Sequence, residues 1–209
     1  MVDVIPGILE KEWVSIEERV KIAEPFVEWV QIDVADNTLV PNTTFLDFSK
    51  FISLGSKPFL EGHLMVVNPE KYIKSMSDAG FKRLIAHVEC HDPRIFLDQA
   101  KYEHVEVGVA IDGATELELA EPFLEEVDMV LVMTIEAGFS GQPFLIENLE
   151  KIKTIRENFP DLPIEVDGGI NDQTAKLVIE AGATRLVSTS YLYRDPQNIA
   201  KSIETLKHG

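Results

Sequence analysis

The chain has 209 residues, with 19 Lys+Arg against 36 Asp+Glu for a formal net charge of −17, and 45% of it is hydrophobic. That much apolar chain can bury a real core, while the acid surplus would repel phosphate backbones and anionic lipid head groups, which argues against nucleic-acid or membrane-surface partners. The single cysteine, Cys90, cannot pair internally, and the opening MVDVIPGILEKEW has no basic patch leading into a long apolar stretch. The expectation is one cytoplasmic domain over residues 1–209, without a membrane span or low-complexity linker; any anionic ligand must be held locally.

Short β-branched runs alternate with longer helical patterns along the whole chain. Strands are expected to begin near Val2, Trp29, Phe59, Arg83, Val105, Met129, Pro163 and Arg185. Amphipathic helices are expected over 16–23, 45–52, 69–79, 93–100, 115–124, 145–158, 174–181 and 198–206. Asn68-Pro69-Glu70 offers an N-cap followed by proline at the first helical position, and Gly80 and Gly182 follow two of the helices. Eight βα units most simply close into a (β/α)8 barrel, although a doubly wound open sheet has the same local pattern.

The distribution of polar residues favours the barrel. In Trp29-Val30-Gln31-Ile32-Asp33-Val34, alternation puts Gln31 and Asp33 on one face and the aliphatic residues on the other. The same parity groups Glu61, His63 and Met65, then His87 with Glu89, then Glu165 with Asp167. Under the helices of an open sheet these groups would be stranded, whereas in a barrel they line a common interior whose C-terminal mouth carries the chemistry.

Asp33, His63 and Asp167 lie at or near the C-terminal ends of their strands. Singly, each has a plainer role as a cap or a satisfied core histidine; three of them ending three inward faces point to a site. Two carboxylates facing one another suit removal of a proton beside a carbonyl and its return to the opposite face. Two buried carboxylates with an imidazole also suggest a divalent cation between them, which would stabilise enediolate oxygens. His87 and Glu89 are expected to support the three from behind. Glycine-bearing loops supply the other half of a site: Gly138-Phe139-Ser140-Gly141-Gln142, then Gly168-Gly169-Ile170-Asn171, then Ser188-Thr189-Ser190. Backbone N–H groups at Gly138, Ser140, Gly141, Gly168, Gly169, Thr189 and Ser190 can cradle a phosphate without lysine or arginine.

Together Gln31-Ile32-Asp33-Val34-Ala35-Asp36, Val40-Pro41-Asn42, His63-Leu64-Met65, Asn68-Pro69-Glu70, Gly138-Phe139-Ser140-Gly141-Gln142 and Val166-Asp167-Gly168-Gly169-Ile170 resemble the ribulose-phosphate 3-epimerase family. The resemblance runs from Pro6 to about Ser190. It implies a (β/α)8 barrel that interconverts ribulose 5-phosphate and xylulose 5-phosphate, a small sugar-phosphate substrate, with Asp33 and Asp167 as acid and base that also bind the metal. It implies His63 as a further ligand and puts Gln31 where the family has its second histidine. Loss of that imidazole should move preference among Mg, Mn, Fe and Zn toward the harder ions. Met65 and Met133 match two active-site methionines, while Ala35 stands at a third; Gly7 stands where a substrate-contacting serine is usual, and Asn37 where a glycine is. Relatives with other chemistry, the sugar-phosphate decarboxylases and hexulose-phosphate synthases, place a lysine at the position of Asp33 and are disfavoured. An epimerase of allulose 6-phosphate and a catalytically weakened sugar-phosphate binder are the alternatives, and a homo-oligomer is compatible with the sequence.

Overall fold

Alternation along each strand decides the architecture. In the computed structural model, which describes residues 2–55 and 57–209, Val30, Ile32 and Val34 join helix residues such as Ile16, Val20 and Ile73 in the main apolar cluster. The residues between them turn inward. Eight strands, β1 (Asp3–Ile8), β2 (Trp29–Ala35), β3 (Phe59–Met65), β4 (Arg83–His87), β5 (Glu106–Ile111), β6 (Met129–Met133), β7 (Ile164–Asp167) and β8 (Arg185–Ser188), close in sequence order into an all-parallel barrel. β8 returns to β1 with Val4 opposite Leu186. This is the expected (β/α)8 barrel rather than the open sheet.

The outer layer comprises α1 (Trp13–Ala23), α2 (Glu70–Asp78), α3 (Pro93–Tyr102), α4 (Leu149–Asn158), α5 (Thr174–Ala181), α6 (Ser190–Tyr193) and α7 (Ile199–His208), with short 3₁₀ turns. None of these helices is long and apolar enough to cross a membrane, among the described residues. Gly80 and Gly182 end their helices at φ +95° and +121°, as their positions after α2 and α5 require.

Four local expectations are corrected. The segment expected as a helix over 45–52 is a 3₁₀ helix, Phe48–Leu54. Its apolar residues Phe45, Phe48, Phe51 and Leu54 recur every third position, the period of a 3₁₀ turn rather than of an α-helix. The expected helix over 115–124 is two 3₁₀ turns, Leu117–Leu119 and Glu121–Phe123, because Pro122 can neither donate to an α-helical ladder nor fit inside one. Asn68 is not a side-chain cap: Pro69 holds the cap position at φ −64°, without a side-chain hydrogen bond, and α2 starts at Glu70. Finally Ser190, read as loop, opens the short α6.

The inward-facing residues change character along the barrel, with Ile85, Ala110, Met129 and Leu131 forming an apolar cluster among the polar ones. Toward the N-terminal ends of the strands lies a buried charged layer. There Arg83, 1% exposed, donates to Glu61 Oε2 at 2.5 Å and to Glu106 Oε2 at 2.6 and 2.9 Å, with its guanidinium 4.0 Å from the Trp29 ring. Glu165 is fully buried beside this layer. Toward the C-terminal ends lie Asp33, His63, Met133 and Asp167, the floor of the mouth.

Candidate active site

Register brings the chemistry together. Asp33 on β2 lies directly opposite His63 on β3, and Met133 on β6 opposite Asp167 on β7. With β8 and β1 between β7 and β2, the two aspartates approach the centre from different sides of the barrel. One ligand atom from each of Asp33, His63 and Asp167 lies within 4.8 Å of the others, and all three line the same cleft. His63 Nδ1 is 3.0 Å from Asp33 Oδ1 and 3.8 Å from Asp167 Oδ2.

Gln31, one layer below Asp33, puts its carboxamide between the two acids. Its Nε2 donates to Asp33 Oδ1 and to Asp167 Oδ2, each at 2.8 Å, while Oε1 is buried with no hydrogen-bond partner among the described residues. The amide therefore offers its positive end to both carboxylates, partly filling the place of a cation.

Burial governs the electrostatics. It pushes both acids up to about 7, Asp33 chiefly by desolvation and Asp167 by desolvation and then by the Asp33 charge. Desolvation, followed by repulsion from His87, holds His63 down to about 3 and so neutral. Two acidic oxygens and a neutral imidazole nitrogen converging in this way form a donor set that suits a divalent cation.

These shifts predict an inverted pH dependence in metal-free protein. An aspartate raised from 3.8 to about 7 on folding weakens the folded state as pH rises through that range, so stability should increase as pH falls from about 8 to 6.5. Below about 6.5 the neutral His63 opposes the trend, because the unfolded chain protonates there first. Melting curves in chelator should show the rise; manganese, by holding the carboxylates ionised, should flatten it.

Other residues of the sequence reading fall around this floor. Met65, Met133, Gly138, Ser140 and Thr189 line the cleft with the three central residues. Ser140 and Thr189 also border a neighbouring recess with Ser190. Gly138, Gly141, Gly168 and Gly169 all have positive φ. At Gly168 the need for glycine is steric as well, since a Cβ there would lie 2.9 Å from the Ile135 backbone nitrogen.

Two departures from the family pattern acquire physical explanations. Asn37 sits at φ +66°, the left-handed conformation that glycine allows and asparagine tolerates. A Cβ on Gly7 would lie 2.5 Å from Thr189 Oγ1, so the threonine hydroxyl fills the space a serine at position 7 would use.

Several supporting residues escaped the sequence reading. Asn42 Nδ2 donates to the Gly138 carbonyl at 2.7 Å, Thr134 Oγ1 donates to the Gly168 carbonyl at 2.5 Å, and the buried Asn148 Nδ2 ties the Gly113 and Met133 carbonyls at 3.0 and 2.9 Å. Asn42 had a signal, since it belongs to the Val40-Pro41-Asn42 motif; the other three bonds join residues distant in sequence. Two arginines also border the Ser140–Ser190 recess: Arg19, paired with Glu10 at 2.6 Å, and Arg194, 4.1 Å from the Tyr191 ring.

Residues 3–193 match the model of the ribulose-phosphate 3-epimerase family. The chain belongs to that family. It is 35% identical over 204 residues to ribulose-phosphate 3-epimerase of Bacillus subtilis, covering 92% of this chain and 93% of that protein. It is 31% identical over 208 residues to the Schizosaccharomyces pombe enzyme, covering 96% and 91%. Among solved structures, 3-hexulose-6-phosphate synthase from Salmonella typhimurium superposes with a TM-score of 0.75 at 16% identity, covering 99% of this chain and 97% of that one, a likeness of fold. As a member of this family the chain is an isomerase of the epimerase class.

Proposed function

We propose that the barrel interconverts D-ribulose 5-phosphate and D-xylulose 5-phosphate by two-base proton transfer, with Asp33 and Asp167 as the bases. The observation that carries this reading is the pair of acids, each raised to about 7, meeting over one floor. A group that titrates near the working pH both takes and gives a proton with little driving-force penalty. One carboxylate removes the proton beside the ketone, and the protonated partner delivers one to the opposite face, which inverts the centre. The substrate phosphate lies against backbone N–H groups of the Gly138–Gly141, Gly168–Gly169 and Thr189–Ser190 loops, with Met65 and Met133 in the floor below.

Asp33, His63 and Asp167 would hold one divalent ion, which supplies positive charge to the oxygens of an enediolate. Gln31 keeps the two carboxylates together in the present arrangement; turning its amide over would offer the unpartnered Oε1 as a fourth, weak ligand. A neutral amide in place of an imidazole favours magnesium or manganese over zinc. Gln31→His should therefore tighten zinc binding by roughly tenfold or more, read by calorimetry on metal-free protein. The functional reading is tested by a coupled assay with ribulose 5-phosphate, and with allulose 6-phosphate for comparison, in the presence of each of Mg, Mn, Fe and Zn. Turnover of the pentulose phosphate is expected; turnover of the hexulose phosphate alone would replace the substrate assignment.

A further inference from the structure

From the floor of the site a line of hydrogen bonds leads to the loop after β5. His63 Nε2 lies 2.8 Å from His87 Nε2, with the ring centroids 5.0 Å apart and the ring planes 21° from parallel, an edge-to-edge contact. His87 Nδ1 lies 3.1 Å from Glu89 Oε2, and Glu89 Oε1 accepts the Asp112 backbone N–H at 2.9 Å. Asp112 is itself fixed, its Oδ1 accepting from Gly113 N at 2.7 Å and Ala137 N at 2.8 Å. His63 and His87 are both 1% exposed, so water cannot readily replace these partners.

The line has a direction. A carboxylate only accepts, so a neutral His87 carries its proton on Nδ1, facing Glu89, and leaves Nε2 as an acceptor. A nitrogen–nitrogen contact of 2.8 Å needs one donor, and His63 Nε2–H must provide it. A neutral imidazole has one N–H, which leaves His63 Nδ1 as a bare lone pair aimed at Asp33 and Asp167. In either direction one contact lacks a proton. Here it is His63 Nδ1 to Asp33 Oδ1 at 3.0 Å, an oxygen that already accepts from Gln31 Nε2 at 2.8 Å. In the reverse direction it is His87 Nδ1 to Glu89 Oε2 at 3.1 Å, and an Nδ1–H on His63 would cover the lone pair that a cation needs.

We propose that His87 and Glu89 are positioning residues that hold His63 in its Nε2–H tautomer and so present Nδ1 as a ligand to the divalent cation. This rests on the reading that Asp33, His63 and Asp167 hold such an ion. An outer partner that fixes the tautomer of a ligating histidine typically contributes about 10–100-fold in metal affinity.

The test has two independent parts. In metal-free wild-type protein near neutral pH, long-range proton–nitrogen NMR, assigned with a His63→Asn variant, should find His63 protonated on Nε2 and His87 on Nδ1. A His63 protonated on Nδ1, or a His87 protonated on both nitrogens, overturns the proposal. In calorimetric titrations with manganese alone, His87→Phe, which keeps a flat ring but no acceptor, should bind about 10–100-fold more weakly than wild type. His87→Gln can accept from His63 with its oxygen and donate to Glu89 with its amide, and it should recover most of that loss. Unchanged affinity in His87→Phe, or no recovery in His87→Gln, contradicts the positioning role. A wild-type protein that binds no manganese overturns the cation reading beneath it, and the NMR result tells these failures apart. Should His87→Phe fail to fold, the tautomer measurement on wild type still decides.

Discussion

Asp33→Asn and Asp167→Asn should each lower kcat/KM for epimerisation by about 10³-fold or more while leaving the barrel folded. Asparagine keeps the size of the side chain and an oxygen that can accept from Gln31 Nε2, which now donates to both acids at 2.8 Å. What it removes is the exchangeable proton, and a two-base mechanism has no substitute for it on that face of the substrate. The stability readout runs the other way. Each acid is raised to about 7 by burial, so its charged form costs free energy in the metal-free fold, and the neutral amide should melt at the same temperature or higher at about pH 8. Loss of activity together with retained or increased stability separates a catalytic role from a structural one. A variant of either residue with near wild-type turnover would remove that residue from the mechanism.

Arg83→Met should be the most destabilising single change in the barrel interior, costing about 3–5 kcal/mol in denaturant titrations. Methionine fills similar space, but the guanidinium joins Glu61 at 2.5 Å to Glu106 at 2.6 Å, and its charge also acts on Glu165. Glu61 and Glu165 are fully buried, and desolvation raises both. Without Arg83 only the charge of Arg185 is left to offset them, and each must ionise with less compensation or take up a proton. The loss should therefore shrink as pH is lowered from about 8 to 6, and a second change, Glu61→Gln, should restore part of it by removing one of the unpaired charges. A loss below about 1 kcal/mol would mean that the charged layer is hydrated and that Arg83 is not its keystone.

Strand parity carried much of the site into view from sequence. Gln31 and Asp33, and Glu61 with His63 and Met65, interrupt aliphatic runs at every second residue, a pattern that has a simple meaning only where one face is the inside of a barrel. Helical segments were less legible. Phe45, Phe48 and Phe51 by themselves fit within one helical face; the three-residue period of a 3₁₀ turn shows only once Leu54 is counted with them, and the rings pack around Trp13 and Phe81. Pro122 was a local signal against the expected helix over 115–124. The charge layer was half visible: Glu61 shares the inward parity, but its pairing with Arg83 joins two strands. Which end of the Gln31 carboxamide faces the acids is settled by three-dimensional neighbours, Asp33 below the mouth and Asp167 from 136 residues away. Similarly, Gly7 reads as a lost contact until the Thr189 hydroxyl is seen in its place.

The most direct test of the central claim is to incubate ribulose 5-phosphate with the protein and a divalent ion in deuterated water and to follow C3 by proton NMR. Two bases acting on opposite faces predict xylulose 5-phosphate with solvent deuterium at C3, because the proton taken by one carboxylate is not the one delivered by the other. Xylulose 5-phosphate that retains the original proton at C3 would show a single base returning what it removed, and absence of xylulose 5-phosphate would contradict the epimerase assignment itself.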